Sequence, residues 1–388
     1  MGAKDQPLQL AMVAGEASGD VLAALLLDGL LASSRPVQAF GIGGPQMAQR
    51  GFDAWWPHHK LSVHGFGWEL IRRYREIVGI RSQLQQRLLA NKPELFIGVD
   101  APDFNLELEA NLRAQGIKTV HFLSPSIWAW RPERVEKIRR SVDHVLCIFP
   151  FEPELLARNG IAATYVGHPL AQVIPIKPDR AKARAVLGLA ADAEVVALLP
   201  GSRSSEVRHL AARFFRAAKL IKQARPAVKF VLPAVPGLLG EIQAIAASEG
   251  VLDWVQIVPG QSHSVLAACD VTLIASGTAT LEAALFKRPM VIAYHMAWMS
   301  WQIMRRKKLQ PWVGLPNILC QDFVVPELLQ DAATPQALAA SVLDWLDAYH
   351  HNPARIHSLE HRFTEMHTTL QRDTSTIASH AIEQVLKK

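Results

Sequence analysis

The stretch FIGVDAPDFN, residues 96 to 105, ends an apolar run at Val99 and then sets two carboxylates, Asp100 and Asp103, around a proline. A parallel strand buried on both faces is apolar along its length, so charge first appears where the strand emerges at its carboxyl end. Open α/β sheets bind ligands at that end. Each aspartate therefore has two readings, a contact to a bound molecule or the N-cap of the following helix.

The second half of the chain carries two turns suited to phosphate. In LLPGSRSSEVRHL a strand ends at Pro200, and a Gly-Ser-Arg turn leads into a helix near Ser205 with Glu206 in its first turn. Backbone amides at such a turn bind phosphate, and Arg203 beside Ser202 adds a charge-assisted bond; a capped helix with a solvated arginine is the bland alternative. ASGTATLEAALFKRPMV repeats the arrangement, with small residues at Ser276, Gly277, Thr278, Ala279 and Thr280. Small residues let a diphosphate approach the backbone, and the helix dipole favours its charge. Glu282 is placed to accept bonds from two ribose hydroxyls, or simply to complement the dipole. Two such turns in one half of the chain point to a nucleotide diphosphate.

Other chemistries lack their residues. There is no GxxxxGK[ST], no GxGxxG and no HExxH, so neither a P-loop ATPase nor a catalytic metal is expected. The three cysteines, Cys147, Cys269 and Cys320, are far apart and form no CxxC, which fits buried thiols in a reducing compartment. The glycine turns AGEASGD and GIGGPQM of the first half are expected to approach an acceptor substrate.

The elements that must hold these residues alternate along the chain. LQLAMVAG, VQAFGIGG, ELFIGVD, KTVHFLSP and HVLCIFP read as buried strands separated by helices such as DVLAALLLDGLLASS and NLELEANLRAQG, a pattern that predicts a doubly wound, mostly parallel sheet. A Pro/Gly-rich stretch interrupts it at about 168 to 185. The alternation then restarts with EVVALLPGSR, KFVLPAV, VQIVPG, CDVTLIASG and MVIAYHM. With 388 residues, more than one core is expected. We expect an α/β chain of two facing Rossmann-like domains with an interdomain cleft, at 1–170 and 186–345. A linker at 171–185 joins them, and a helical tail at 346–388 packs on the first domain or on a second subunit, as in a homodimer.

The 41 Lys and Arg against 35 Asp and Glu give a formal charge of +6, which favours anionic partners. The start of the chain has no basic, then apolar, then small-residue pattern, and no apolar run reaches the length of a membrane span. A cytoplasmic protein is expected. WWPHHKLSVHGFGWELIRRYREI and AWMSWQIMRRKKLQPW set Trp55, Trp56, Trp68, Trp298, Trp301 and Trp312 beside basic residues. Such groups serve a lipid interface or nucleic acid, or are core tryptophans beside solvated charges. No recognised nucleic-acid module accompanies them, which favours lipid and no nucleic acid.

The motifs AGEASGD, GVDAPDFN, SPSIWAWRPERVEKI, IFPFEPELL, YVGHPL, LLPGSRSSEV, ASGTATLEAAL and LPNILCQDFVVPELLQ occur in that order between about residues 10 and 330. Together they resemble the lipid-A-disaccharide synthase family. The resemblance implies a metal-independent, cofactor-free glycosyltransferase of the GT-B type. It would move 2,3-diacylglucosamine from its UDP donor to 2,3-diacylglucosamine 1-phosphate, with inversion, at the cytoplasmic face of the inner membrane as a peripheral protein.

Inverting transfer needs a base on the acceptor hydroxyl and stabilisation of the leaving diphosphate. Asp100 is expected to be that base, with Glu16 next in line. Acceptor contacts are expected at Ser18, Asp103, Ser126 and Trp128, and the resemblance adds donor-pocket roles for Asn317 and Gln330. Arg203, Ser202 and the 276–280 turn are expected to hold the diphosphate. His168 is read as a packing residue at the domain junction. The same fold class hosts UDP-sugar epimerases and other lipid-linked transferases, and a non-catalytic nucleotide-sugar binder is a further reading.

Overall fold

The computed structural model describes residues 6–32, 35–61, 68–129, 132–296, 301–302 and 309–387. The chain divides into two units. One takes the chain up to Gln172 and receives it back from Leu370; the other is Val173–Thr369.

In the first unit the strands are β1 (Leu8–Ala14), β2 (Val37–Gly43), β3 (Asp53–Pro57), β4 (Leu95–Val99), β5 (Lys118–Phe122), β6 (His144–Cys147) and β7 (Ala163–Tyr165). They form one sheet in the order β3-β2-β1-β4-β5-β6-β7, parallel at every pairing. The helices are α1 (Ala17–Leu31), α2 (Pro45–Ala48), α3 (Trp68–Asn91), α4 (Pro102–Arg113), α5 (Arg134–Ser141), α6 (Glu152–Ala157) and α7 (Pro169–Val173). Every residue of β4 is buried, as its uninterrupted apolar run requires. Leu84 and Leu88 of α3 and Phe104, Leu108 and Leu112 of α4 recur at helical spacing and close over Phe96, Val13 and Ile42. Each such side chain taken fully from water stabilises by about 1.5–3 kcal/mol.

The second unit repeats the plan. It contains α8 (Arg180–Val186), β8 (Val195–Leu199), α9 (Ser204–Ala224), β9 (Lys229–Ala234), α10 (Leu239–Ser248), β10 (Val255–Pro259), α11 (Ser262–Ala268), β11 (Val271–Ala275), α12 (Thr278–Leu285), β12 (Met290–Tyr294), α13 (Leu315–Cys320) and β13 (Glu327–Leu329). The sheet order is β10-β9-β8-β11-β12-β13. Two further helices, α14 (Pro335–His351) and α15 (Pro353–Leu370), follow, and α16 (Thr374–Lys387) ends the described chain. α14 starts where the Thr334 hydroxyl accepts from Ala337 N at 3.1 Å, a side-chain cap.

α16 packs on α1 in the first unit, and a Cβ on Gly29 would fall 2.4 Å from the Ser375 carbonyl oxygen, so only glycine permits this approach. Where proline and glycine predict irregular chain, residues 180–186 are a helix capped by Asp179. Its Arg184 is 2% exposed and bonded to the carbonyls of Ala190, Ala191 and Ala268 and to Asp270. A buried guanidinium whose three nitrogens all have partners ties that helix into the second unit.

Candidate active site

Each sheet reverses its winding once, between β1 and β4 in the first unit and between β8 and β11 in the second. The carboxyl ends flanking such a reversal open a crevice. Asp100 follows β4 and Glu16 follows β1, whose last residue Ala14 pairs with Val99. A Cβ on Gly15 would lie 3.0 Å from the Ala101 Cβ, so the two turns abut.

Asp100 is half-buried. Its N–H donates to Phe122 O at 2.9 Å, and its carbonyl accepts from Asn105 Nδ2 at 2.8 Å. Its carboxylate has no hydrogen-bond partner among the described residues. Asp100 (φ +53°) and Ala101 (φ +44°) both stand in the left-handed region, a strain that clusters at functional sites. α4 therefore begins at Pro102 with Ala101 as its uncapped N-cap residue. Asp103 does not cap it. It is 83% exposed in its side chain and pairs with Arg134 at 2.7 Å.

Glu16 is the exposed N-cap residue of α1 and makes no side-chain cap bond; Ser18 is also exposed. The turn owes its shape to Asp20, a residue the motif reading passed over. Asp20 is 2% exposed, and its carboxylate accepts from Gly44 N at 2.9 Å, Gln46 N at 2.9 Å and Met47 N at 3.1 Å. It thus ties AGEASGD to GIGGPQM and caps α2 from outside.

Ser126 is exposed, while Trp128 is pinned. Its Nε1 donates to Glu152 at 3.0 Å, and its ring meets Phe149 and Phe151 edge-on at 6.0 and 5.3 Å. Glu152 also accepts from Phe149 N at 3.0 Å. Burial pushes its carboxyl up to about 7, against the bonds from Trp128 and the backbone of Phe149 and Ile148. His168 is 7% exposed, accepts from Leu170 N at 3.2 Å and is lowered to about 4 by burial, as a packing histidine should be. Trp55 stacks on Phe40 at 4.8 Å and under Arg87 at 3.7 Å, against the core. Trp130, Trp298 and the basic run 305–308 lie outside the described residues.

In the second unit Arg203 is the N-cap residue of α9 and its side chain is 78% exposed. The amides expected to meet phosphate are occupied: Glu206 accepts from Ser202 N at 2.9 Å and from Arg203 N at 3.2 Å. Gly201 (φ +130°) makes this possible, because a Cβ there would fall 2.4 Å from the Glu206 Cβ. In the β11–α12 turn, Ser276 N is used by Ala293 O and Thr280 N by Gly277 O. The N–H groups of Gly277, Thr278 and Ala279 have no backbone acceptor among the described residues, as at any helix start. Gly277 and Thr278 are exposed. Among the described residues these three amides are what this end of the sheet offers an anion directly, and the exposed Arg203 guanidinium, 3.3 Å from Glu206 Oε1, must share its charge with that carboxylate.

Glu282 is largely buried and lies 3.6 Å from His263, which starts α11 and was not singled out by pattern. Asn317 is fully buried. Its Nδ2 donates to Val325 O and Glu327 at 2.9 Å each, and its Oδ1 accepts from Val325 N at 3.1 Å. Gln330 is 8% exposed, and with its amide oxygen and nitrogen exchanged, the orientation its neighbours require, it donates to Met296 O at 3.2 Å and accepts from Met296 N at 3.1 Å. Both amides thus hold backbone. Glu327 completes the assembly by accepting from Val313 N at 2.9 Å and Gly314 N at 2.8 Å. Ser276 Oγ reaches Val313 O at 3.4 Å.

The chain is 72% identical over 382 residues to a lipid-A-disaccharide synthase of Albidiferax ferrireducens, covering 98% of each chain. It is 64% identical to one of Verminephrobacter eiseniae, covering 99% of each. Among solved structures, a Neisseria meningitidis UDP-GlcNAc 2-epimerase bound to UDP-GlcNAc matches with a TM-score of 0.63 at 12% identity, over 98% of this chain and 99% of that one. That likeness concerns the fold alone, the two-Rossmann GT-B class. The family model for lipid-A-disaccharide synthetase matches residues 10–382, so the ordered motifs and the paired switch-point turns have one source: the chain belongs to the lipid-A-disaccharide synthetase family.

Proposed function

We propose that Asp100 is the base in the transfer this family performs. The enzyme is a hexosyltransferase that moves 2,3-diacylglucosamine from UDP-2,3-diacylglucosamine to 2,3-diacylglucosamine 1-phosphate. The products are the β-1′,6-linked disaccharide 1-phosphate and UDP. The acceptor 6-hydroxyl oxygen attacks the donor anomeric carbon as its proton passes to Asp100. The bond from that carbon to the phosphate oxygen breaks, and its electron pair leaves on UDP, so configuration inverts.

The observation that carries this reading is the carboxylate of Asp100 at the β1/β4 reversal, which has no hydrogen-bond partner among the described residues. A base must reach its proton within hydrogen-bond range and must not be committed elsewhere. Asp103, paired with Arg134, is committed. Glu16 makes no side-chain bond among the described residues and remains the second carboxylate of the site. The leaving diphosphate is assigned to Arg203, Ser202 and the open amides of Gly277, Thr278 and Ala279, where charge develops as the bond breaks. Glu282 takes the ribose. Asn317 and Gln330 serve the donor pocket through the backbone they hold, and Ser18, Ser126 and Trp128 line the acceptor side.

The test is an incubation in EDTA with both lipid substrates, following UDP and disaccharide together. Equal formation of the two, lost in Asp100→Asn with UDP binding intact, supports the assignment. Undiminished turnover in Asp100→Asn removes Asp100 as the base, and UDP-sugar turnover that ignores the acceptor removes the transfer itself.

We infer further that the chain meets the cytoplasmic surface of the inner membrane peripherally. Both substrates are acylated, the charge is +6, and among the described residues no helix is long and apolar enough to cross a membrane. Binding to anionic vesicles should weaken when Arg305, Arg306, Lys307 and Lys308 are neutralised; unchanged sedimentation would reject that segment as the contact.

A further inference from the structure

Against the strand that delivers Asp100 lies a polar cluster of a kind parallel sheets rarely bury. Asn105, Glu109 and His121 are each 0% exposed. Asn105 and Glu109 are four residues apart on α4 and share the face turned to the sheet; His121 rises from the middle of β5. Glu109 Oε1 lies 2.8 Å from His121 Nδ1, a distance at which one proton is shared. Burial pushes the Glu109 carboxyl up, and the histidine opposes that shift. Glu109 Oε2, His121 Nε2 and Asn105 Oδ1 are buried without partners among the described residues. Space for the cluster comes from Gly98: a Cβ there would fall 2.2 Å from Glu109 Oε1 and 2.9 Å from Asn105 Cγ.

Leucine or methionine would fill such positions without orphaned polar atoms, so packing alone does not account for these side chains. What the cluster touches does. Asn105 Nδ2 donates to Asp100 O at 2.8 Å and reaches Val99 O at 3.4 Å. On its other side Asp100 is held by the bond from its N–H to Phe122 O. Between these ties the backbone turns through two successive left-handed residues, Asp100 and Ala101. Left-handed geometry is strained for a non-glycine residue, so without restraint the turn would relax and swing the carboxylate away.

We propose that Asn105, buried beside the Glu109–His121 pair over Gly98, is a positioning residue that locks the strained turn and aims the Asp100 carboxylate. This rests on reading Asp100 as the base. Asn105 makes no contact with substrate in this account; it acts through Asp100.

A double-mutant cycle on the full chain tests it, with initial rates at saturating donor, varied acceptor, and UDP affinity measured separately. Asn105→Ala should lower kcat about 100-fold, the scale of a misplacement near 1 Å. The acceptor KM should stay within about threefold, and UDP affinity should not change. Placed on Asp100→Asn, the same substitution should lower the residual rate by less than about threefold, because residues that act through one another are not additive. If Asn105→Ala does not fold, Asn105→Ser, which keeps a hydroxyl on a shorter stem, goes through the same cycle. Full turnover in Asp100→Asn would remove the base and this proposal with it. Loss of turnover in Asp100→Asn, with Asn105→Ala unaffected or its full loss repeated on top of Asp100→Asn, would overturn the positioning role while the base stands.

Discussion

Asp20 is the residue whose removal should do most to the first unit. Its buried carboxylate receives three backbone N–H groups, two on Oδ1 (Gly44 and Met47) and one on Oδ2 (Gln46). In Asp20→Asn the amide oxygen can keep the first two, without charge, but its NH2 then faces Gln46 N–H, donor against donor. One bond to a charged acceptor is worth about 1.5–3 kcal/mol, so Asn should cost about 2–3 kcal/mol. Asp20→Ala orphans all three N–H groups at about 1–3 kcal/mol each. Partial relief by water at the half-buried Gln46 holds the sum to about 4–5 kcal/mol. Urea unfolding followed by tryptophan fluorescence reads both. With a slope of about 3 kcal/mol/M, Asn should lower the midpoint by roughly 1 M at unchanged slope, and Ala by more. The acceptor KM should rise in both variants, because the turn that carries Glu16 and Ser18 loses its anchor. An alanine variant within about 0.5 kcal/mol of the parent would refute the reasoning, as would equal losses for Asn and Ala.

Other perturbations have equally definite signs. Arg203→Ala should weaken UDP binding at least tenfold and leave the melting temperature unchanged, since the side chain is 78% exposed; equal losses of both would make it structural. Glu327→Ala should destabilise the second unit by about 3 kcal/mol, because Val313 N, Gly314 N and Asn317 Nδ2 all lose their acceptor; a silent variant would dissolve that link. His168, lowered to about 4 from an ordinary 6.5, contributes stability that is present above pH 6.5 and lost as pH falls towards 4. Glu152, raised to about 7 from an ordinary 4.5, contributes stability that is present below pH 4.5 and lost as pH rises through 7. Melts from pH 4 to 8 should show the acid-side fall reduced in His168→Phe and the neutral-side fall reduced in Glu152→Gln; parallel curves for all three proteins would contradict both assignments.

The central strands were legible because burial on both faces forces a run such as LFIGV to be apolar throughout. Three of the four edge strands were not; β10, read from VQIVPG, is the exception. β3, β7 and β13 are short and partly exposed, with Trp, Thr and Glu among their residues, because an edge strand has only one neighbour and fewer buried positions. The helix at 180–186 hid behind proline and glycine, and what ties it into the second unit is Arg184 reaching residues 190 and 191 nearby and 268 and 270 far along the chain.

The sequence by itself determined the two parallel sheets, the turns that close their strands and, through a chain of rare motifs, the family. Those are local properties: a strand, its terminal turn and the first residues of the next helix are contiguous, so their chemistry is written in order. Only the tertiary structure decided which polar groups are still available. Glu206 takes the amides of Ser202 and Arg203, and Asn317 and Gln330 spend their amides on backbone. Asp103 goes to Arg134, while the Asp100 carboxylate has no partner among the described residues. A hydrogen bond or ion pair is made by side chains that the fold brings together from separate elements, and each one made removes a group from the chemistry that residue type and spacing would otherwise allow it.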